Sequence, residues 1–249
     1  MQMPQTNLPT VDVLAIAAHR DDVEQTCGGT LLKLAAQGWR TGILDLTQGE
    51  SGTRGTAAER AAEAEAAARL LNAGWREALD LPDGRVENNW ENRLKIAAVL
   101  RRLRPRVVIL PYWEGRHPDH YTTATLGYEA CFVSGLARVV TPGPAEFVAP
   151  HRPFKILYAS LYADVRPSFV VDVTPYIEQR LSALLAYRSQ YSEQAAGSGL
   201  FVPESDIRER CLAMARSYGL LAGVRYAEPF VQKEVGLVDD LMMLPVQSI

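Results

Sequence analysis

Two short stretches concentrate the residue types that chemistry uses. They are His19-Arg20-Asp21-Asp22 and His117-Pro118-Asp119-His120, and together they hold three of the chain's four histidines. Two imidazoles and a carboxylate are a common ligand set for a catalytic zinc, leaving at least one position open to water. The same set accepts iron, cobalt or manganese under a different metal supply. A centre that activates water also needs a proton acceptor. Adjacent Asp21 and Asp22 can divide ligation and base duties, because successive side chains point in different directions. In the second stretch one histidine can bind metal while the other faces a reacting carbonyl, with Asp119 orienting that second imidazole and favouring its protonated form. Glu24 reads either as a support behind the ligands or as a carboxylate favoured by a helix N-terminal dipole.

For these stretches to meet, the fold must bring residues about 100 positions apart to one place. Val11 to Ala18 (VDVLAIAA) is a near-continuous apolar segment, as expected of a strand buried on both faces, and the first motif follows it at once. Thr41 to Thr47, Glu77 to Leu81, Val107 to Leu110, 155–160 and 169–174 read as further strands. Helical patterns lie between them, over Gly28 to Gly38, 56–72, Trp90 to Leu103, His120 to Leu136, 175–190 and 204–220. Thr56 and Glu59 form a T-x-x-E capping box at the start of the Ala-rich helix. This alternation predicts an α/β domain of Rossmann-like form, with a mostly parallel sheet and helices on both faces. The carboxyl ends of its strands would line one crevice, where the loops after 18 and after 110 can converge. Pro142, Pro144, Pro150 and Pro153 mark residues 141–153 as an extended connection. The expectation is one domain over 1–249, in which 1–140 carries the metal motifs and 141–249 completes sheet and site.

Composition narrows the function classes. With 249 residues, 47% hydrophobic and 22% charged, the chain has the make-up of an ordinary globular protein. A net charge of -3 offers no basic footprint, so nucleic acid is not expected as a partner. The longest apolar run, Val13 to Ala18, falls far short of the roughly 18 residues a membrane span needs. No secretory signal pattern is visible in Met1 to Thr10, which makes the cytoplasm the expected location. Cys27, Cys131 and Cys211 are too far apart and odd in number for a disulfide framework or a Cys-based zinc site, and read as buried thiols.

AHRDDVE followed by GGTL, then TQGESGTRG, then RHPDH, resembles the zinc-dependent N-acetylglucosamine deacetylases of the LmbE-like (PIG-L) group, over most of the chain. The closing segments PSFVVDVT, AYRSQY and GVRYAEPF look most like the bacillithiol-biosynthesis branch, which removes acetate from N-acetylglucosaminyl malate. The resemblance implies a metal-dependent amide hydrolase acting on linear amides and a homo-oligomer with a small N-acetylglucosamine conjugate as its partner. It makes His19, Asp22 and His120 the zinc ligands, Asp21 the general base, and His117 the acid and oxyanion stabiliser. Arg20 departs from the pattern, which usually has Pro there. The substitution removes a constraint on φ without removing a ligand, and adds a cation that either points to solvent or meets an anionic substrate.

Substrate determinants follow from the same loops. Arg54 and Arg116 can supply guanidinium forks for the two carboxylates of malate, a geometry Lys does not reproduce. Glu50 and Ser51 either hydrogen-bond sugar hydroxyls or shape the glycine-rich turn, whose glycines at 49, 52 and 55 permit left-handed backbone or close approach to a ligand. Tyr112 and Trp113 either pack a sugar face or belong to the core. A nucleotide-binding oxidoreductase is the rival on the same type of sheet, but QGESGTRG lacks the G-x-G-x-x-G spacing and follows the second strand. A serine hydrolase would need a G-x-S-x-G elbow, which does not occur. A non-catalytic metal- or carbohydrate-binding protein would need no Asp21 base.

Overall fold

The computed structural model describes residues 10–144, 149–160, 165–192 and 204–244. Their strands are β1 (Val13–Ala17), β2 (Thr41–Asp45), β3 (Trp75–Ala78), β4 (Val107–Pro111), β5 (Lys155–Ala159), β6 (Phe169–Asp172) and β7 (Ala227–Val231). They form one mixed sheet in the order β3-β2-β1-β4-β5-β7-β6. All pairings from β3 to β5 are parallel, and β7 runs antiparallel to both β5 and β6. The helices are α1 (Asp22–Thr26), α2 (Gly28–Ala36), α3 (Ala57–Leu70), α4 (Trp90–Leu103), α5 (Pro118–Ser134), α6 (Ile177–Leu184), α7 (Arg188–Tyr191) and α8 (Glu204–Leu221).

The continuous apolar character of β1 follows from coverage of both its faces. Leu14 and Ile16 pack with Ile96, Val99 and Leu100 of α4 and Leu126 and Ala130 of α5. Val13, Ala15 and Ala17 pack on the other face with Val23, Leu31 and Leu32 of α1 and α2. Burial of this kind contributes about 25 cal/mol per Å² of apolar surface, which fixes register because a one-residue slip would exchange the two faces.

Several elements differ from the sequence reading. β3 begins at Trp75, ahead of the strand expected from Glu77. A short α1 precedes α2, and the break falls at Cys27. The buried carboxylate of Glu228 on β7 explains that break, since it accepts from Gly29 N at 2.8 Å, Thr30 N at 2.7 Å and Thr30 Oγ1 at 2.6 Å. An anion thus occupies the N-terminus of α2, where orphan amides and the helix dipole favour negative charge. The expected helix over 175–190 is two, α6 and α7. Strand β7 has no counterpart among the strands expected from the sequence. All three cysteines are buried and unbridged, and burial pushes the Cys131 thiol up to about 12. Residues 145–148 of the proline-rich connection lie outside the described residues.

The capping box is present in both directions. Thr56 N donates to Glu59 Oε2 at 2.7 Å and Glu59 N donates to Thr56 Oγ1 at 3.2 Å. It fixes where α3 starts, and with it the end of the glycine-rich loop. No helix among the described residues is long and apolar enough to cross a membrane.

Candidate metal centre

After β3 the chain crosses the sheet to enter β4 on the far side of β1, so the loops leaving β1 and β4 diverge and open a crevice at the carboxyl edge. His19 and Asp22 come from the first loop, His117 and His120 from the second. His19 Nδ1 lies 3.2 Å from His120 Nε2 and 3.4 Å from Asp22 Oδ2, while His120 Nε2 lies 3.2 Å from Asp22 Oδ1. Ligand atoms held about 2.0–2.1 Å from a tetrahedral ion are about 3.3–3.4 Å from each other. The two imidazole nitrogens meet that spacing, and Asp22 faces each of them through a different carboxylate oxygen, so these side chains are a candidate donor set for one small divalent ion.

The electrostatics point the same way. Burial disfavours a charge on His19, yet hydrogen bonds with Asp119, Asp22 and Asp83 outweigh it and push its pKa up to about 12. Burial likewise acts to raise Asp22, but His120 and His19 hold it well below the usual carboxylate range. Three carboxylates around two imidazoles make a place that favours positive charge.

Supporting groups fix the His19 ring. Its Nε2 lies 3.3 Å from Asp119 Oδ2 and 3.2 Å from Asp83 Oδ1. A carboxylate on the far nitrogen of a ligating histidine sets its tautomer and raises its basicity. Asp119 also accepts from Gly84 N at 2.8 Å and Val86 N at 3.1 Å, which ties the loop after β3 to the site. This corrects the role read for Asp119, whose carboxylate hydrogen-bonds His19 and not His117. The reason is helical. His117 is the N-cap of α5, and its Nδ1 accepts from the backbone N of Asp119 at 3.2 Å, which leaves the Asp119 side chain to turn inward.

His117 stands beside the candidate ligands His19 and His120, its ring stacked on His120 at 5.0 Å between centroids and edge-on to His19 at 4.6 Å. Burial, together with the charges of His19 and His120, lowers its pKa, contrary to the expectation that its protonated form is favoured. With Nδ1 engaged as an acceptor, the imidazole proton belongs on Nε2.

Asp21 accepts from the Tyr191 hydroxyl, and from Gln25 Nε2 at 3.4 Å. Tyr191 ends α7, whose first turn is held by Glu63 accepting from Ser189 N and Oγ at 2.7 Å each. The AYRSQY segment contains this residue, but nothing in its spacing connects it to Asp21.

The residues read as substrate-facing have other partners. Glu50 Oε1 accepts from Asp83 N at 2.8 Å, while Ser51 donates from N to Asp83 Oδ2 and from Oγ to Asp83 O, both at 3.0 Å. They brace the Asp83 turn, so of the two roles read for them the turn-shaping one matches these contacts. The D-G dipeptide at 83–84 was the only signal that could have singled out Asp83. Arg54 donates to Gln190 O at 3.5 Å and its own carbonyl accepts from Gln190 Nε2 at 2.9 Å, which docks the glycine-rich loop on α7. Arg116 is exposed in the loop before α5. Gly49 adopts φ +72°, and a Cβ there would lie 2.2 Å from Arg60 Nη1. The close approach is to an arginine of the chain itself.

Arg20 neither points to solvent nor stands open to an anion. It is 7% exposed, and its Nη1 donates to Ala57 O at 2.8 Å. Tyr112 and Trp113 pack together at 4.3 Å between centroids and against the core on the α4/α5 face, which favours the core reading. The fourth histidine, His151, pairs with Pro105 O at 2.7 Å and takes no part in this cluster.

Residues 14–131 match the family model of GlcNAc-PI de-N-acetylase (PIG-L). The diacetylchitobiose deacetylase of Thermococcus kodakarensis is 31% identical over 228 residues, covering 87% of this chain and 80% of that protein. The conserved protein TT1542 of Thermus thermophilus has a crystal structure that superposes with a TM-score of 0.82 at 40% identity, covering 92% of this chain and 98% of that one. The 4-oxalmesaconate hydratase of Pseudomonas putida is 25% identical over 207 residues, covering 74% of this chain and 76% of that protein.

Proposed function

The chain belongs to the PIG-L (LmbE-like) de-N-acetylase family, and from that premise we propose that it is a zinc-dependent hydrolase removing the acetyl group of an N-acetylglucosamine conjugate. The observation that carries this reading is the approach of His19 Nδ1 to His120 Nε2 at 3.2 Å, with the two Asp22 carboxylate oxygens meeting them one each, Oδ2 at 3.4 Å from His19 Nδ1 and Oδ1 at 3.2 Å from His120 Nε2, beside a carboxylate, Asp21, that lies outside the trio. His19, Asp22 and His120 would hold the ion. When bound, such an ion polarises the amide carbonyl and makes a water easier to deprotonate.

The chain's own groups do the rest. Asp21 takes a proton from the attacking water, oriented for it by the hydroxyl of Tyr191. His117 turns its Nε2–H toward the amide oxygen as negative charge develops there, since its Nδ1 is engaged as an acceptor. Asp21 then returns the proton it took to the leaving amine. Asp119 and Asp83 hold His19 in place from behind.

For the conjugate, we take N-acetylglucosaminyl L-malate of bacillithiol biosynthesis, on the likeness of PSFVVDVT, AYRSQY and GVRYAEPF to that branch. Arg116, in the exposed loop beside His117, is the better placed of the two arginines to meet a carboxylate, while Arg54 is docked on α7. Glu50 and Ser51 would act on the sugar through the turn that carries Asp83. A second reading, in which the sugar's partner is another amino sugar, is favoured by the match to the Thermococcus enzyme. The likeness to a hydratase keeps water addition to a carbon–carbon double bond as a competing outcome. One domain over 1–249, a cytoplasmic location and a homo-oligomer complete the proposal. Phe132 and Phe154 support the last of these, being large apolar side chains 55% and 77% exposed even with Arg152 over the Phe132 ring.

Acetate release from N-acetylglucosaminyl malate, diacetylchitobiose and free N-acetylglucosamine, measured side by side on zinc-loaded protein, tests the assignment. We expect the malate conjugate to have the highest kcat/KM, by about 10-fold or more, the effect of one charge-assisted hydrogen bond. Higher kcat/KM on diacetylchitobiose selects the second reading. No acetate from any of the three, with turnover of an unsaturated diacid instead, contradicts deacetylation.

A further inference from the structure

Arg20 lies between a candidate metal ligand, His19, and the candidate base, Asp21. Its carbonyl lies in the peptide plane that joins it to Asp21, so holding that oxygen holds the short stretch of backbone that runs from His19 into Asp21. Two buried donors converge on that oxygen. Arg76 of β3 donates from Nη2 at 2.5 Å, and the hydroxyl of Tyr187, in the turn between α6 and α7, donates to the same atom.

Both donors are themselves fixed. Arg76 Nη1 reaches Glu24 Oε1 at 2.6 Å, and its Nε and Nη2 straddle Asp45 at 2.9 and 3.0 Å. Tyr187 OH lies 3.2 Å from the same Glu24 oxygen. The Arg76 side chain is 7% exposed, and those of Glu24 and Asp45 are 0% and 1%. With Ala64 O also accepting from Nη1 at 3.3 Å, a planar guanidinium serves four groups from one rigid fork, which a lysine cannot do. Both carboxylates are buried with it, so the arginine has no route to relax toward solvent. Arg20 is pinned at its other end by Ala57 O. A residue in a loop, outside any strand ladder, is thereby anchored by contacts from β3, α3 and the α6–α7 turn.

We infer that Arg76 and Tyr187 are positioning residues, a clamp on the Arg20 carbonyl that sets the geometry of His19 for metal and of Asp21 for proton transfer. The inference rests on the proposed reading of His19, Asp22 and His120 as metal ligands. Partners one step removed from a metal typically change its affinity by about 10- to 100-fold when lost.

Tyr187→Phe removes one donor and leaves every buried charge paired, while Arg76→Lys keeps the charge and loses the fork. Tyr158→Phe serves as control, because the Tyr158 hydroxyl is buried with no hydrogen-bond partner among the described residues. Each metal-stripped protein is titrated with Co²⁺, whose visible absorption reports ligand geometry, and its folding is followed by circular dichroism. The clamp predicts folded Tyr187→Phe and Arg76→Lys proteins that bind Co²⁺ about 10- to 100-fold more weakly than the native protein, with altered Co²⁺ spectra. At saturating metal their kcat should fall with KM unchanged, and Tyr158→Phe should match the native protein in every respect. Native affinity and spectrum in a folded Tyr187→Phe protein would overturn the clamp, and that variant decides alone if Arg76→Lys does not fold. Failure of the native protein to bind Co²⁺ would instead remove the metal reading on which the clamp stands.

Discussion

Asp21→Asn is expected to bind one equivalent of zinc at near-native affinity and to release acetate about 100- to 10,000-fold more slowly, the range a positioned general base contributes. The substitution keeps the shape of the side chain and an oxygen for the Tyr191 hydroxyl, so the loop has little reason to move. What it removes is the ability to accept a proton. Asp21 is not one of the trio spaced at 3.2–3.4 Å, and for that reason metal content and turnover should separate. Metal analysis beside single-substrate kinetics checks this. Native turnover in the metal-loaded variant would eliminate Asp21 as the base, and loss of metal would make it a ligand.

Asp22→Ala should behave in the opposite way, with metal lost first and activity lost as a consequence. Asp22 supplies the only carboxylate of the trio, and its Oδ2 also accepts from the backbone N of His19 at 2.9 Å. Removing it deletes one donor and releases the loop end that aims another. The zinc affinity should drop by well over about 100-fold, more than the loss of a supporting partner costs. Isothermal titration of the metal-stripped variant reads that number directly. Restoration of full activity by excess zinc would fit a weakened site, whereas native affinity at the first equivalent would exclude Asp22 from the ligand set.

The elements that carry the site were legible because their signals are local. The VLAIA run of β1, the T-x-x-E box and the apolar face of α4 each follow from a period or a cap contained within a few residues. β7 was hidden by Pro229, a residue that argues against a strand with neighbours on both sides. The sheet accommodates it because β7 pairs with β5 only at Phe230 and Val231, beyond the proline. Both histidine motifs could be read from residue type and from their place after strands. Their supporting groups could not. Asp83, Tyr191, Arg76 and Tyr187 come from β3, α7 and the turns beside them, and each meets the motifs only across the folded crevice. Their short-range surroundings look like an ordinary turn, an ordinary edge strand and an ordinary helix end.

The same distinction explains the residues assigned to substrate. Glu50, Ser51 and Arg54 sit in a glycine-rich loop, which by composition suits ligand approach as well as it suits packing. Their contacts with Asp83 and Gln190 match the bracing role, and no local pattern encodes those partners. Arg20 is the converse case. A cation at a loop entrance reads as solvent-facing, yet the first turn of α3 supplies a carbonyl 2.8 Å from its guanidinium.

The most direct test of metal-dependent deacetylation is acetate release by protein stripped with a chelator and then titrated with zinc. The account predicts no measurable release from the stripped protein, with activity that rises linearly and levels off at one equivalent of zinc per chain. Full activity in the stripped protein, or none after zinc is restored to a folded protein on any N-acetylglucosamine conjugate offered, would contradict it.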